Sequence, residues 1–334
     1  MIYNDINFNQ KTILITGGAG FIGSNLAFYF QENYPDSHVV VFDCFRSEAT
    51  FTNGNLQSFG HYKNLIGFTG DVICGNINNK ADLALLDDYK FDYMFHQAAI
   101  SDTRVYDQEI VMQTNVNSFY DLLNKAKDDD AVMVYASSAA TYGSLPSPQT
   151  VGTENPENPY GFSKYMMDQI AYRYSRENPN MTIVGLKFFN VYGPREYYKA
   201  KTSSMVIQLG HQILSGNAPK LFEGSDQILR DFINIEDVVQ ANIKACNPKQ
   251  NGTYNVGTST PRSFQDIADI LQTELGTDLG TNYITNPYDG YQMHTQADIS
   301  TSQTNLGFEP VVSLEEGIKA YITDIKRLHG TDIS

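Results

Sequence analysis

The stretch Thr12–Phe30, TILITGGAGFIGSNLAFYF, decides how the rest of the chain is read. It passes from a β-branched segment through a glycine-rich turn into an apolar, helix-forming segment. Gly18, Gly20 and Gly23 stand in G-x-G-x-x-G spacing, with Gly17 just ahead of them. In such a strand–turn–helix unit the first glycine permits the tight turn and the next lets backbone amides approach a pyrophosphate. The third allows close helix–strand packing, and the helix N-terminus adds partial positive charge. A lone glycine motif is weak, but this one has a continuation. A second apolar segment, HVVVF (His38–Phe42), ends in Asp43, twenty positions after Gly23, where a carboxylate suits the ribose hydroxyls of a dinucleotide. Asp43 favours NAD because it repels a 2′-phosphate. Arg46, three residues on, favours NADP by offering that phosphate a cationic fork, and both readings stay open.

Outward from this unit, short β-branched segments alternate with helical ones: FDYMFHQAA, NVNSFYDLLNKAK, VMVYAS, YGFSKYMMDQIAYRYSREN and MTIVGLKFFN. That alternation predicts βαβ units, hence an α/β fold with a Rossmann-type doubly wound parallel sheet. Beyond Asn190 the pattern loosens into Gly-, Pro-, Asn- and Tyr-rich turns with helices near 203–215, 235–246, 263–275 and 314–325. We expect residues 1–190, with parts of 230–260, to form the dinucleotide-binding domain. Residues 191–330 should mainly form a smaller C-terminal α/β substrate-binding region sharing an interface with it.

Composition narrows the function classes. The net charge of −15 disfavours nucleic acid and anionic membrane as partners. No apolar run approaches the ~20 residues of a membrane span, and the first ten residues lack a signal-peptide pattern, so a cytoplasmic location is expected. Cys44, Cys74 and Cys246 are widely separated, which predicts free thiols and no metal. The acidic run Asp128–Asp130 reads as a solvated loop.

The chemistry concentrates after the fifth expected strand. Ser138 and Thr141 follow VMVYAS on the carboxyl edge, where doubly wound folds bind ligands, within expected reach of a nicotinamide. In NPYGFSK, Asn158 can cap a helix, Pro159 suits its first position, and Tyr160 and Lys164 are four apart on one face. Lowering a phenol from ~10 to neutrality takes ~4 kcal/mol. An ammonium ~4 Å away at an effective dielectric of ~20 supplies about that much, so Lys164 could tune Tyr160 as a base while Ser138 orients a substrate alcohol.

The segments GGAGFIG, HQAA, SSAATYG, YGFSK and FFNVYGPRE occur in the order and spacing of the extended short-chain dehydrogenase/reductases that act on nucleotide sugars. The chain resembles that family over nearly its whole length. YASSAATYG, FNVYGPRE, KLFEGS, RDF and HTQAD further resemble its epimerases of ADP-linked heptoses, which serve the lipopolysaccharide inner core. The resemblance implies a homo-oligomer, often a pentamer, with a tightly held nicotinamide cofactor, usually NADP with NAD as the alternative. It implies an ADP-sugar substrate oxidised and re-reduced at carbon 6. Two opposite faces need two proton-transfer groups, which the resemblance assigns to Tyr160 and Lys199, with Lys201 as a competitor for the second role. It also implies cofactor contacts at Phe21, Ile22, Cys44, Gln97, Ala98, Ala99, Ser101 and Asn115, with Lys164 holding the ribose. Substrate contacts fall on Asn190, Phe222, Glu223, Gly224, Ser225, Arg230 and Tyr291, Arg230 offering a bidentate partner for a diphosphate. A hexose 4-epimerase and a cofactor-sensing regulator are the competing readings. Ala139, Ala140 and Thr141 stand where the family's dehydratases carry an acidic pair, which argues against elimination.

Overall fold

The computed structural model describes residues 2–3, 6–287 and 292–331. Its centre is a seven-stranded sheet whose first six strands in chain order are β1 (Thr12–Thr16), β2 (His38–Asp43), β3 (Asp71–Cys74), β4 (Tyr93–His96), β5 (Val132–Ser138) and β6 (Ile183–Phe188). The spatial order is β3-β2-β1-β4-β5-β6, closed at the far edge by the strand Gly252–Val256. Every pairing is parallel. The sheet therefore draws one strand from beyond residue 190.

A sheet buried on both faces needs apolar side chains at every strand position, and β1 supplies them. Ile13 and Ile15 join one core with Leu26 and Phe30 of the helix Phe21–Asn33 and Val238 and Val239 of the helix Ile235–Lys244. Leu14 joins the opposite core with Phe119 and Leu122 of Ser118–Asp129 and Met167 and Ile170 of Pro159–Glu177. Each such side chain taken fully from water contributes about 1.5–3 kcal/mol. A third core lies apart from the sheet, where Leu209, Leu271 and Ile325 join the helices Met205–Leu214, Phe264–Leu275 and Leu314–Leu328.

The carboxyl ends of the strands lie side by side. Thr16 is level with Phe42 and His96, and Ser138 with Phe188. The chain departs here toward short two-stranded pairs, among them Asn190–Tyr192 with Phe232–Asn234 and Leu229–Arg230 with Arg262–Ser263.

One strand and one expectation stand out. The segment after β2 contains strand β3, whose mostly exposed residues form no apolar run to mark it in the sequence. The Asp128–Asp130 run is not a plain loop: Asp129 ends a helix, is buried, and accepts hydrogen bonds from the Phe91 N–H (3.0 Å) and the Lys125 ammonium (2.8 Å). Asp130 closes that helix in the left-handed region, at φ 60°.

Candidate active site

One cavity of about 910 Å³ opens along the carboxyl edge of the sheet and reaches into the region beyond Asn190. The glycine turn forms its floor. Gly17, at φ 68°, makes the tight turn, and a Cβ there would stand 2.7 Å from the Ala98 nitrogen. This corrects the motif reading. Gly18 faces away from the cavity, with space for a Cβ blocked by Val41, and the turn that the spacing gave to it belongs to Gly17. A Cβ on Gly23 would lie 2.3 Å from the Gly17 carbonyl oxygen, so only glycine lets the helix sit this close to the strand. The helix begins after Gly20 with no side chain capping it, and Phe21, Ile22 and Gly23 line the cavity. Uncapped amide donors and a positive helix end suit a pyrophosphate.

Asp43 is buried at the end of β2 and lines the same space. Its Oδ2 accepts the Ala19 N–H (3.0 Å) and its Oδ1 the Phe45 N–H (2.8 Å). Burial raises its pKa and these two donors work against the rise. The carboxylate thus fixes the glycine turn as well as facing a ribose position. Cys44 lines the cavity too, its thiol pushed up by burial and directed to the Ser58 hydroxyl at 3.3 Å. Arg46 does not line it; its guanidinium donates to the Tyr198 carbonyl. Gln97, Ala98, Ala99 and Ser101 form the adjacent wall. Gln97 donates to Asn242 (3.0 Å) and keeps a buried Oε1 without a partner. Asn115 stands behind the wall, accepting the Ile100 N–H (2.9 Å) and donating to the Ile100 carbonyl and the Ser163 hydroxyl. The glycine cradle, the bare helix end, Asp43 and the orphaned Gln97 oxygen all fit a dinucleotide.

Ser138 ends β5, and Tyr160 opens the helix Pro159–Glu177, whose cap Asn158 accepts the Gly161 N–H at 2.8 Å. Both line the cavity, where the Ser138 side chain acts to lower the pKa of the Tyr160 phenol. Lys164, one turn on, is buried and donates to the Ala136 carbonyl at 2.7 Å. Burial brings its pKa down to about 8 while Asp168 pulls it up. Burial raises the phenol's pKa and Ser138 works against the rise, while the Lys164 ammonium is turned to the Ala136 carbonyl. Thr141 also departs from expectation, being fully buried and accepting from Lys187 at 3.0 Å instead of facing the cavity.

The second side of the cavity is built by Asn190, Lys199, the Thr202–Met205 segment, Arg230 and Phe264. Lys199 is half-buried, its pKa lowered by burial against the raising effect of the buried Glu196. Lys201, two residues on, is exposed and outside the lining. Arg230 is buried, donates to the Leu229 and Gln292 carbonyls and lies over the Phe264 ring. Phe222, Glu223, Gly224 and Ser225 lie outside the lining, Ser225 keeping a buried hydroxyl without a partner. Tyr291 lies outside the described residues.

Sequence reasoning missed the support beneath Ser138. Lys187 is fully buried and pairs with Asp168 (2.6 Å) and Glu154 (3.1 Å). Asp168 in turn accepts from Tyr135 and Ser137, both at 2.9 Å. Its spacing four after Lys164 placed it on the same helix face, but nothing in sequence linked it to Lys187. Among the described residues no cluster of three or more His, Cys, Asp or Glu could hold a metal, and no helix is long and apolar enough to cross a membrane.

Residues 13–257 match the model of the NAD dependent epimerase/dehydratase family. The chain is 34% identical over 325 residues to an ADP-L-glycero-D-manno-heptose-6-epimerase of Brachyspira hyodysenteriae, covering 95% of this chain and 99% of that one. It is similar to the crystal structure of the Helicobacter pylori ADP-L-glycero-D-manno-heptose-6-epimerase at 50% identity and a TM-score of 0.90, covering 98% of this chain and 99% of the other. A UDP-glucuronic acid 4-epimerase from Bacillus cereus, solved with UDP-glucuronic acid and NAD, follows at 28% identity and a TM-score of 0.79, over 95% of this chain and 99% of that one. The chain belongs to the NAD dependent epimerase/dehydratase family.

Proposed function

We propose that this member of the NAD dependent epimerase/dehydratase family converts ADP-D-glycero-D-manno-heptose to its L-glycero epimer at carbon 6. The observation that carries the reading is that Tyr160 with Ser138, and Lys199, line one cavity from separate parts of the chain, above a glycine cradle. Similarity to two ADP-L-glycero-D-manno-heptose-6-epimerases, over 95% and 98% of this chain, supports this choice of substrate.

Gly17, Gly20, the Phe21–Gly23 amides and Asp43 would hold a nicotinamide dinucleotide, which when bound would supply reversible hydride acceptance. Ser138 orients the carbon 6 hydroxyl toward Tyr160. One of the pair Tyr160 and Lys199 takes the hydroxyl proton as the alcohol becomes a ketone. The ketone then presents its other face, and the other member returns a proton as the alcohol re-forms. Burial raises the pKa of the Tyr160 phenol and lowers that of the Lys199 amine, which favours a protonated phenol facing an amine readier to lose its proton. Arg230 meets the diphosphate of the substrate. On the family resemblance we assign NADP of the two cofactor forms, and a homo-oligomeric assembly.

The test is incubation of the pure protein with ADP-D-glycero-D-manno-heptose and observation of carbon 6 by NMR. Interconversion of the two epimers is expected. No change at carbon 6, with turnover of a UDP-hexose instead, would move the assignment to a 4-epimerase.

A further inference from the structure

Between Arg46 and Asn64 the chain leaves the parallel sheet and returns beside the segment that carries Lys199. It is fastened on two sides. On the first, the carbonyl of Ala19, inside the glycine turn, accepts the His61 N–H (3.0 Å) and the Asn64 side-chain amide (3.1 Å). On the second, the buried His61 ring stacks flat on Tyr198, with centroids 4.0 Å apart and planes 9° from parallel. The Lys63 ammonium lies over the same ring at 5.7 Å, and Arg46 donates to the Tyr198 carbonyl. Arg195 adds a bond to the Asn64 carbonyl at 2.6 Å. Lys199 comes directly after Tyr198, and Ala200 beyond it holds φ 52°. A non-glycine residue keeps that conformation only where its surroundings over-determine it.

We infer that His61 is a positioning residue for Lys199, its stack on Tyr198 joining the backbone at 198–200 to the glycine turn. The inference rests on the reading of Lys199 as the second proton-transfer group. Proton transfer requires hydrogen-bond reach, and a lysine on a free loop would sample many positions outside it. The joint removes that freedom at Tyr198. It also registers Lys199 against the turn that cradles the dinucleotide, so both faces of a substrate carbon are set by one scaffold. The stack asks only for a flat ring, although the His61 Nδ1 also accepts the Lys63 N–H at 3.1 Å, so His61→Phe keeps the stack while giving up that bond.

The experiment compares His61→Ala and His61→Phe, each alone and combined with Lys199→Met. Three quantities are read: carbon 6 turnover by NMR, bound dinucleotide by mass, and the rate at which acetic anhydride acetylates Lys199 in the parent and single His61 variants. His61→Ala should lower kcat about ten-fold with KM within about two-fold, as loss of alignment without loss of binding predicts. His61→Phe should restore most of kcat, and His61→Ala should have no further effect once Lys199 is Met. Lys199 should acetylate several-fold faster in His61→Ala and at the parent rate in His61→Phe. Equal losses in the Ala and Phe variants, or an undiminished His61→Ala effect beside Lys199→Met, overturns the inference. Full activity of Lys199→Met instead overturns the catalytic reading of Lys199, while the acetylation rates still report on the joint.

Discussion

The Lys199 ammonium lies over the ring of Phe21, 5.7 Å from its centroid. Phe21 is the first residue of the helix after the glycine turn, so a lysine from the far region of the chain reaches the start of that helix. Such a contact contributes about 0.5–2 kcal/mol. It sets Lys199 apart from Lys201, which the loop sends to solvent.

Lys199→Met should lower turnover by about 10²–10⁴-fold, the usual range for a lost acid/base group, with dinucleotide content unchanged. Lys201→Met should stay within about two-fold of the parent, as expected of an exposed side chain. NMR turnover and the mass of the copurified nucleotide check both, and reversed effects would exchange the two roles.

Tyr160→Phe removes the phenolic proton carrier and keeps the ring, so turnover should fall by about 10²–10⁴-fold without unfolding. Ser138→Ala should cost less, because it removes orientation and leaves the carrier. A single-turnover measurement that finds the same residual rate in both would mean that Ser138 carries the proton itself.

Gly23→Ala should cost the protein its dinucleotide. The added methyl would meet backbone, the Gly17 oxygen at 2.3 Å, and backbone cannot swing aside as a long side chain can. The helix end must then move, and cofactor affinity should drop more than about ten-fold, equivalent to ~1.4 kcal/mol. Isothermal titration with the dinucleotide measures it.

Arg46→Ala should leave the affinities for NADP and NAD within about two-fold of the parent, because the guanidinium lies outside the cavity and donates to the Tyr198 carbonyl. Titration of the stripped protein with each form is the check, and a selective loss of NADP would mean that the guanidinium turns to a 2′-phosphate on binding.

Lys164 gives a pH signature. Its folded pKa, about 8, lies below the 10.5 of the unfolded chain. Between these values the unfolded chain binds the additional proton, so stability from this group rises as pH climbs through the window and is lost as pH falls back through about 8. Urea unfolding of the dinucleotide-free parent and of Lys164→Met at pH 7 and 10.5 isolates it. The difference between the two proteins should shift toward the parent by about 3 kcal/mol across the window. A flat difference would mean that the ammonium is solvated.

The parts of this molecule legible in sequence are those fixed by local spacing. Strand, glycine turn, helix and Asp43 follow one another within 32 residues, and Tyr160 and Lys164 are one helical turn apart. Contacts between distant segments were not legible. Gly17 rather than Gly18 takes the turn because Ala98, 81 positions on, lies against it. Thr141 faces inward because Lys187 waits there, and Lys187 itself read as one polar residue in an apolar strand. His61 lay in an insertion with no periodicity. Its meaning depends on Tyr198, 137 residues later.

The buried group Glu154, Asp168 and Lys187 bears on what orders the site. Two carboxylates shut away without their cation would be strongly unfavourable. Lys187 on β6 thus holds together the helix that carries Asp168 and the loop that carries Glu154, and through Asp168 it holds Ser137 beside Ser138. The serine of the site is ordered by a lysine that does not itself line the cavity.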